Sequence, residues 1–376
     1  MDPQYYVNYK IYSKLLNYNT NRILFSQPTM GIYEKLPHES QDVCNISIYP
    51  FVTTYENSNT NITELGESTR KTDRDKQGHY FLNNSFEPLD YNFAKWFWQG
   101  NYLTRQLSKK LWCREYTLIH NEKNSKDLEK IMEKSEITNN TYWFGNGYLT
   151  AKHWYKYQGL GCFDNFMDRP ILSNFICMNR LIDNDKKWRL HFLNLLNLEN
   201  GIYSLLEKDP ITGRSVKDIL PNSVEPKQFD NIQNDSGGLV VTETTPINTS
   251  FLHIVCETLY NNHKLFLTEK TFKPIVLGQP FVLLTGPGNL EYLQSYGFKT
   301  FSEFWNEDYD NILDDNKRMQ AVADIVNYIG SMSKRELINL RKKMEPTLMH
   351  NRRWFYSDFG NNCWQELKNN ISRFVE

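Results

Sequence analysis

The sequence predicts an α/β protein built on parallel β-sheets. Its C-terminal half alternates strand-like and helix-like segments: "NFICMNR", "WRLHFLNLLNLENG", "IYSLL", "SFLHIVCET", "LTEKTFKPIVLG", "PFVLLTG" and "NLEYLQSYG" follow one another between residues 174 and 297. The strand-like runs are apolar throughout. They lack the period-two alternation of a sheet wetted on one face, which is the pattern of strands covered on both sides. Glycines stand where helices should stop, at Gly201 and Gly278.

The elements are justified in chain order. "RILFS" and "NISIYPFVTTY" read as strands ending in turn chemistry. Glu56 to Gly78 is polar and reads as a loop. "LDYNFAKWFWQGNYLTRQLSKKLW" places aromatic and aliphatic residues at mixed helical spacing. "REYTLIHNE" is a buried strand whose end carries His120 and Glu122. "SKDLEKIMEKS" is an amphipathic helix with a serine at its start. "TYWFGNGYLTAKHWYKYQGLG" is aromatic-rich and fits neither period. Helices after Asn316 close the chain, among them "RMQAVADIVNYIG" and "KRELINLRKKM", and the terminal "WQELKNNISRFV" has the character to pack back on the N-terminal half. The expected division is an N-terminal α/β domain over 1–170, a Rossmann-like domain over 171–345 and a helical segment over 346–376.

The chain has 376 residues, room for two or three domains, and 40% hydrophobic residues supply their cores. A chain that binds long nucleic acid through its phosphates usually shows a basic excess. Here the formal net charge is -1, so any such contact has to come from a local patch. Six cysteines form neither a CxxC pair nor a zinc-ligand spacing, which points to reduced thiols and to no metal site. The N-terminus lacks a signal-peptide core, and no apolar run approaches the ~20 residues that cross a bilayer. The expectation is a soluble, cytoplasmic protein.

The chemistry concentrates where strands give way to helices, because ligands of open parallel sheets bind beyond the carboxyl ends of the strands. Glu269 and Lys270 stand at the head of "LTEKTFKPIVLG". A lysine beside unpaired first-turn amides suits a phosphate, and a carboxylate there suits a sugar diol. The plainer reading keeps Thr268 as an N-cap, Glu269 as a residue favoured by the helix dipole and Lys270 as solvated. Arg189 opens another helix at the same sheet edge, against the dipole preference. Arg180 closes the preceding strand, Glu257 and Thr258 end "SFLHIVCET", and Lys273 lies one turn beyond Lys270. Four segments thus direct diol- and phosphate-binding groups to one edge.

This ordered set resembles the donor domain of the α1,3-fucosyltransferase family and related phage-encoded glycosyltransferases. The positions that carry the resemblance are Ser173 and Asn174, Arg189, Glu257 and Thr258, and Thr268, Glu269 and Lys270, within residues 171 to 300. The resemblance implies a GT-B fold, two facing Rossmann-like domains, with a nucleotide-sugar held by the second. It implies that the arginine and lysine bind the donor diphosphate, that the glutamate binds ribose, and that no metal or other cofactor is needed. Phe266 replaces the family's tyrosine, Thr258 its asparagine and Phe175 its cysteine, so the resemblance does not extend to fucose.

Sugar transfer also needs a base for the acceptor hydroxyl. Glu122 and His120 are the candidates, with His153 behind them; a solvated glutamate and a structurally bonded histidine are the alternative. His191 and His253 sit in core-like segments. Trp96, Trp98, Trp143 and Trp154 can stack on sugars or bases, or serve as core. The acceptor is open between a glycan, a lipid-linked sugar, a protein and a modified DNA base, and the oligomeric state is not specified. Two rivals stand beside the transferase: a non-catalytic nucleotide-binding scaffold, and a two-Rossmann sugar-nucleotide epimerase.

Overall fold

The computed structural model describes residues 23–25, 46–50, 79–83, 88–89, 115–134, 139–152, 166–227, 246–261 and 263–372. The polar stretch 56–78, His153, Trp96, Trp98 and Trp154 lie outside the described residues. The chain divides into two compact units, residues 1–146 with 361–376, and residues 147–360.

The first unit holds a five-stranded sheet of order β1-β2-β3-β4-β5, parallel throughout. Its strands are β1 (Ile23–Phe25), β2 (Ile46–Pro50), β3 (His79–Asn83), β4 (Glu115–His120) and β5 (Asn139–Tyr142). Helix α1 (Lys126–Lys134) crosses from β4 to β5. Ser125 starts it as its sequence pattern predicts, its hydroxyl accepting from Leu128 N at 3.1 Å.

Helix α2 (Gly145–Lys152) follows β5. The second unit then builds a four-stranded parallel sheet of order β7-β6-β8-β9 from β6 (Ser173–Met178), β7 (Gly201–Ser204), β8 (Ser250–Cys256) and β9 (Phe281–Leu284). Every residue of β8 and β9 is buried, as is all of β6 but Met178, whereas edge strand β7 is half-buried. Double-sided burial is why these runs show no alternation. The crossovers are α3 (Trp188–Asn194), α4 (Val216–Ile219) and α5 (Glu269–Leu277), and α6 (Asn289–Ser295) follows β9. Gly278 closes α5 in the left-handed region at φ 62°, as expected.

Gly201 departs from expectation. Helix α3 ends at Asn194, and Gly201 opens β7 instead of capping the helix. A side chain there would meet the Phe175 ring at 2.0 Å, so the glycine serves close strand packing.

Of two long helices, α7 (Asp315–Ser331) packs on β6 and β9, and α8 (Lys334–Tyr356) packs on α5. Ser333 and Glu336 form a capping box at the head of α8. Asn174 pins the junction. Its amide donates to the carbonyls of Ile329, Gly330 and Met332 at 3.1, 3.0 and 2.8 Å, and its oxygen accepts from Lys334 Nζ at 2.6 Å. Helix α9 (Phe359–Ser372) ends the described chain. Its residues from 361 belong to the first unit, where Trp143 donates to Cys363 O at 2.9 Å and stacks on Trp364. Among the described residues no helix is long and apolar enough to cross a membrane.

Candidate functional site

From β6 the chain moves to β7 on one side and then returns to β8 on the other, so the strand order reverses between β6 and β8. Such a reversal opens a crevice beyond the carboxyl ends of the two strands, because the following helices depart to opposite sides. The residues that converge there are Met178 at the end of β6 and Asn179 just after it, Arg189 in the first turn of α3, Glu257 and Thr258 after β8, and the head of α5.

Glu257 organises this edge. Its carboxylate is fully buried and accepts four hydrogen bonds: from Thr268 N at 3.1 Å, Thr271 Oγ1 at 2.7 Å, Thr268 Oγ1 at 2.8 Å and Thr258 N at 3.1 Å. The spacing Thr-Glu-Lys-Thr presents both threonine hydroxyls to one carboxylate from the start of a helix, where the dipole favours negative charge. Glu257 is therefore a positioning residue here, with no lone pair aimed at a ligand diol.

Lys270 stands over it. Its Nζ lies 2.8 Å from Glu269 Oε1, 3.2 Å from Thr268 Oγ1 and 3.4 Å from Thr258 Oγ1. Burial pushes the ammonium down, but the carboxylates of Glu269 and Glu257 outweigh it and hold Lys270 above the ordinary lysine value. Burial likewise pushes Glu269 up, and the charge and hydrogen bond of Lys270 bring it below the ordinary carboxylate value. The lysine is thus tethered between two strand-to-helix turns, not merely solvated, with 41% of its side chain exposed.

Arg189 and Lys273 are buried cations without a carboxylate within ion-pair distance among the described residues. Arg189 is 6% exposed. It donates to the carbonyls of Leu181 at 3.0 Å, Glu257 at 3.0 Å and Cys256 at 3.4 Å, and its Nε has no partner. Burial lowers its pKa. Lys273 is 5% exposed, its nearest polar contact is Met178 Sδ at 4.0 Å, and burial, aided by Lys270, pushes it down to about 7. Asn179 adds a buried Oδ1 without a partner. Buried polar groups are almost always satisfied, and buried charges are paired or cost several kcal/mol. The two uncompensated cations at a switch point describe a place that suits an anion, whereas the Asn179 oxygen is an acceptor and calls for a donor.

The structure therefore brings together Arg189, Glu257, Thr258, Glu269, Lys270 and Lys273. Arg180 is exposed and forms no hydrogen bond or ion pair among the described residues. His120 and Glu122 belong to the first unit, at and just past the end of β4. Glu122 is not solvated: it is buried and accepts from Leu89 N at 2.5 Å. His120 has Nε2 3.2 Å from Asn140 Oδ1, and burial lowers its pKa to about 4. His253 is buried in β8, pushed down to about 3 by burial and by nearby Lys273. Ser173 and Asn174 open β6 at the opposite end of the sheet, where Asn174 locks helices rather than facing the crevice.

Sequence reasoning did not find Asn179, Thr271 or Met178. Thr271 had a readable signal in its three-residue spacing from Thr268; the other two did not. It also expected free amides at the helix starts. At α5 the Thr268 amide goes to Glu257 and the Lys270 amide to Thr268 Oγ1. At α6 the buried Asp310 carboxylate takes the amides of Leu290 and Glu291, closing that helix start to external anions. Side chains, more than backbone, are left to hold a ligand.

Gly147 touches this machinery from α2. A Cβ there would sit 2.9 Å from the Thr268 carbonyl carbon and 3.1 Å from Glu269 N, both backbone atoms. Gly147→Ala is expected to cost about 1–3 kcal/mol of stability through overpacking, measured by denaturant unfolding. A cost under about 0.5 kcal/mol, the level of an indifferent surface change, would show that α2 does not buttress α5.

No protein-family model matches the chain. No curated protein matches it. Among solved structures, a mutant of T4 phage BGT in complex with UDP-glucose matches with a TM-score of 0.45 and 10% identity, over 88% of this chain and 84% of that one.

Proposed function

We propose that the crevice beyond β6 and β8 binds the diphosphate of a nucleotide-sugar, and that the protein is a glycosyltransferase. The observation that supports this reading is the pair of buried cations, Arg189 and Lys273, lacking carboxylate partners beside tethered Lys270. A diphosphate supplies the missing negative charge. In transfer, the bond from the sugar's anomeric carbon to the phosphate oxygen breaks, and its electron pair stays on the diphosphate. An acceptor oxygen forms the new bond and gives up its proton. Arg189, Lys270 and Lys273 stabilise the leaving group through charge fixed in advance. Glu122 or His120 is the proposed acceptor base in an inverting, metal-independent reaction; His120, with its pKa near 4, is neutral at pH 7 and so in the form that accepts a proton. Glu269 is the remaining candidate for the diol. The donor sugar is left open: Phe266, where the fucosyltransferase pattern has tyrosine, is fully buried. The acceptor is a glycan or a modified base.

A panel of nucleoside diphosphates and nucleotide-sugars, read by thermal shift, tests the reading. A ligand at ~100 times its Kd stabilises by roughly 2.7 kcal/mol. Slow hydrolysis of the stabilising donor separates an enzyme from a scaffold, and conversion to a second sugar nucleotide without acceptor would indicate an epimerase. The panel also carries a pH signature. Lys273 titrates at about 7 when free, and a bound diphosphate raises that value. Binding therefore takes up a proton above pH 7 and weakens as pH rises, by up to about tenfold per unit. Lys273→Met is expected to flatten this dependence. A wild-type affinity that is constant between pH 6.5 and 8.5 would remove Lys273 from the site.

A further inference from the structure

Helix α8 breaks the charge balance of the chain. The whole protein carries a formal net charge of -1, yet these 23 residues hold seven Lys or Arg against two Glu, a local excess of +5. The charges are segregated by face. Leu337, Met344, Thr347, Leu348, Asn351 and Phe355 are buried against the unit. At 3.6 residues per turn, Arg335, Lys342 and Arg353 fall within about 20° of one line on the opposite side, and Arg341 and Arg352 make a second line about 110° round the helix, at the border of the buried face. Arg335, Lys342, Lys343 and Arg353 are exposed.

The acidic residues offset little of this face. Glu336 is committed to the Ser333 capping box, Glu345 forms no ion pair among the described residues, and Asp168, on the turn packed against the helix, acts on Arg341 without forming an ion pair. Lys334 is committed to Leu172 O and Asn174 Oδ1. The other six cations form no ion pair among the described residues. Arg352 is half-buried, lies 5.4 Å over the Phe166 ring and leaves its Nε without a partner. Behind it, Arg169 is lowered to about 9 by burial and by the charges of Arg341 and Arg352, so the cluster repels itself.

The geometry selects the kind of anion. Arg341 and Arg352 are three turns apart, about 16 Å along the axis, too far for one phosphoryl group to bridge. The outer row, from Arg335 to Arg353, spans about 27 Å. Only an anion with charge repeated along its length engages such a row, and DNA carries one charge per ~1.7 Å of axis. Insertion into a membrane interface would need an exposed apolar face; here the apolar side is buried, and Ile338, at 39%, is the large hydrophobic residue of α8 that is exposed, so an anionic bilayer could attract the row by charge alone, which vesicle binding separates from duplex binding.

We infer that the solvent face of α8 binds the phosphate backbone of a nucleic acid, through Arg335, Arg341, Lys342, Lys343, Arg352 and Arg353. This surface is separate from the crevice beyond β6 and β8, and the inference does not rest on sugar transfer. The contacts are to phosphate, so they position a duplex without reading its sequence.

The test is fluorescence anisotropy with a labelled 20-base-pair DNA duplex and the full chain. Wild type is expected to bind at 50 mM salt and to lose roughly 100- to 1,000-fold in affinity by 200 mM, the slope of about five phosphate contacts. The triple variant Arg335→Glu, Lys342→Glu, Arg353→Glu changes only exposed side chains. It is expected to bind at least tenfold more weakly, with a slope reduced by about three. An unchanged melting temperature shows that it folds. The inference is overturned if wild type fails to bind DNA at 50 mM salt, or if the variant keeps wild-type affinity and slope. Binding to phosphatidylserine vesicles but not to the duplex would overturn it in favour of a membrane surface.

Discussion

Lys270→Ala is expected to weaken nucleoside diphosphate binding at least tenfold and to lower the melting temperature of the free protein by roughly 2–4 °C. Among the described residues, the ammonium is the one cation of the crevice that is both tethered and partly open to solvent, with 41% of its side chain exposed. A charge-assisted hydrogen bond contributes about 1.5–3 kcal/mol, and solvent screening places Lys270 at the lower end of that range. Its removal leaves the Glu269 carboxylate without the lysine that holds its pKa down, so the free protein also loses about 1 kcal/mol, the exposure of the pair keeping the loss small. Arg189→Ala is a poorer test of binding. It strips a donor from three carbonyls, those of Leu181, Cys256 and Glu257, and so disturbs the edge of the sheet as well as the ligand. Isothermal titration at pH 7 with the best-binding diphosphate decides the matter. Wild-type affinity in Lys270→Ala would mean that the phosphates lie elsewhere.

Glu257→Ala is expected to destabilise the protein by about 3–5 kcal/mol, the largest single loss at this site. Four donors converge on the carboxylate, two of them backbone amides, and none has another acceptor once it is gone. A drop on the order of 10 °C in melting temperature follows for a unit of this size. Glu257→Gln should not restore it, because the amide nitrogen would present hydrogens to groups that already donate. Urea unfolding of the free protein measures the loss. A cost below about 1 kcal/mol, no more than one ordinary hydrogen bond, would show that the turn after β8 is held by something else.

Both predictions bear on what the sequence could disclose. The strands of the second unit were legible because burial on both faces writes itself as unbroken apolar runs, and β6, β8 and β9 fall where those runs are. The head of α5 was legible because Thr268 and Gly278 bracket it with cap chemistry. The division of labour inside the site was not. Glu257 and Glu269 are the same residue type at similar places, yet one is sealed in a ring of donors and the other faces a lysine. Nothing local distinguishes them; the difference arises from how β8 and α5 meet. Gly201 misled for the same reason, since the Phe175 ring that forbids a side chain there comes from 26 residues earlier. Asn174, in a motif that resembles a donor site, belongs to the scaffold, because only the register of β6 reveals which end of the strand it occupies.

The strand reversal that makes the crevice also sets when it can exist. Ser173 pairs with Ser250, so β6 and β8 join across 77 positions of chain before either can hold Arg189 against the carbonyls of Cys256 and Glu257. Closing so long a segment costs entropy that is repaid only after the strands zip, and parallel pairing at that separation is slow. During synthesis, the ribosome must pass Lys273 before all the cations of the crevice have been made. A ligand of the crevice therefore finds its full set of cations only on a chain that has been made past Lys273 and has paired β6 with β8.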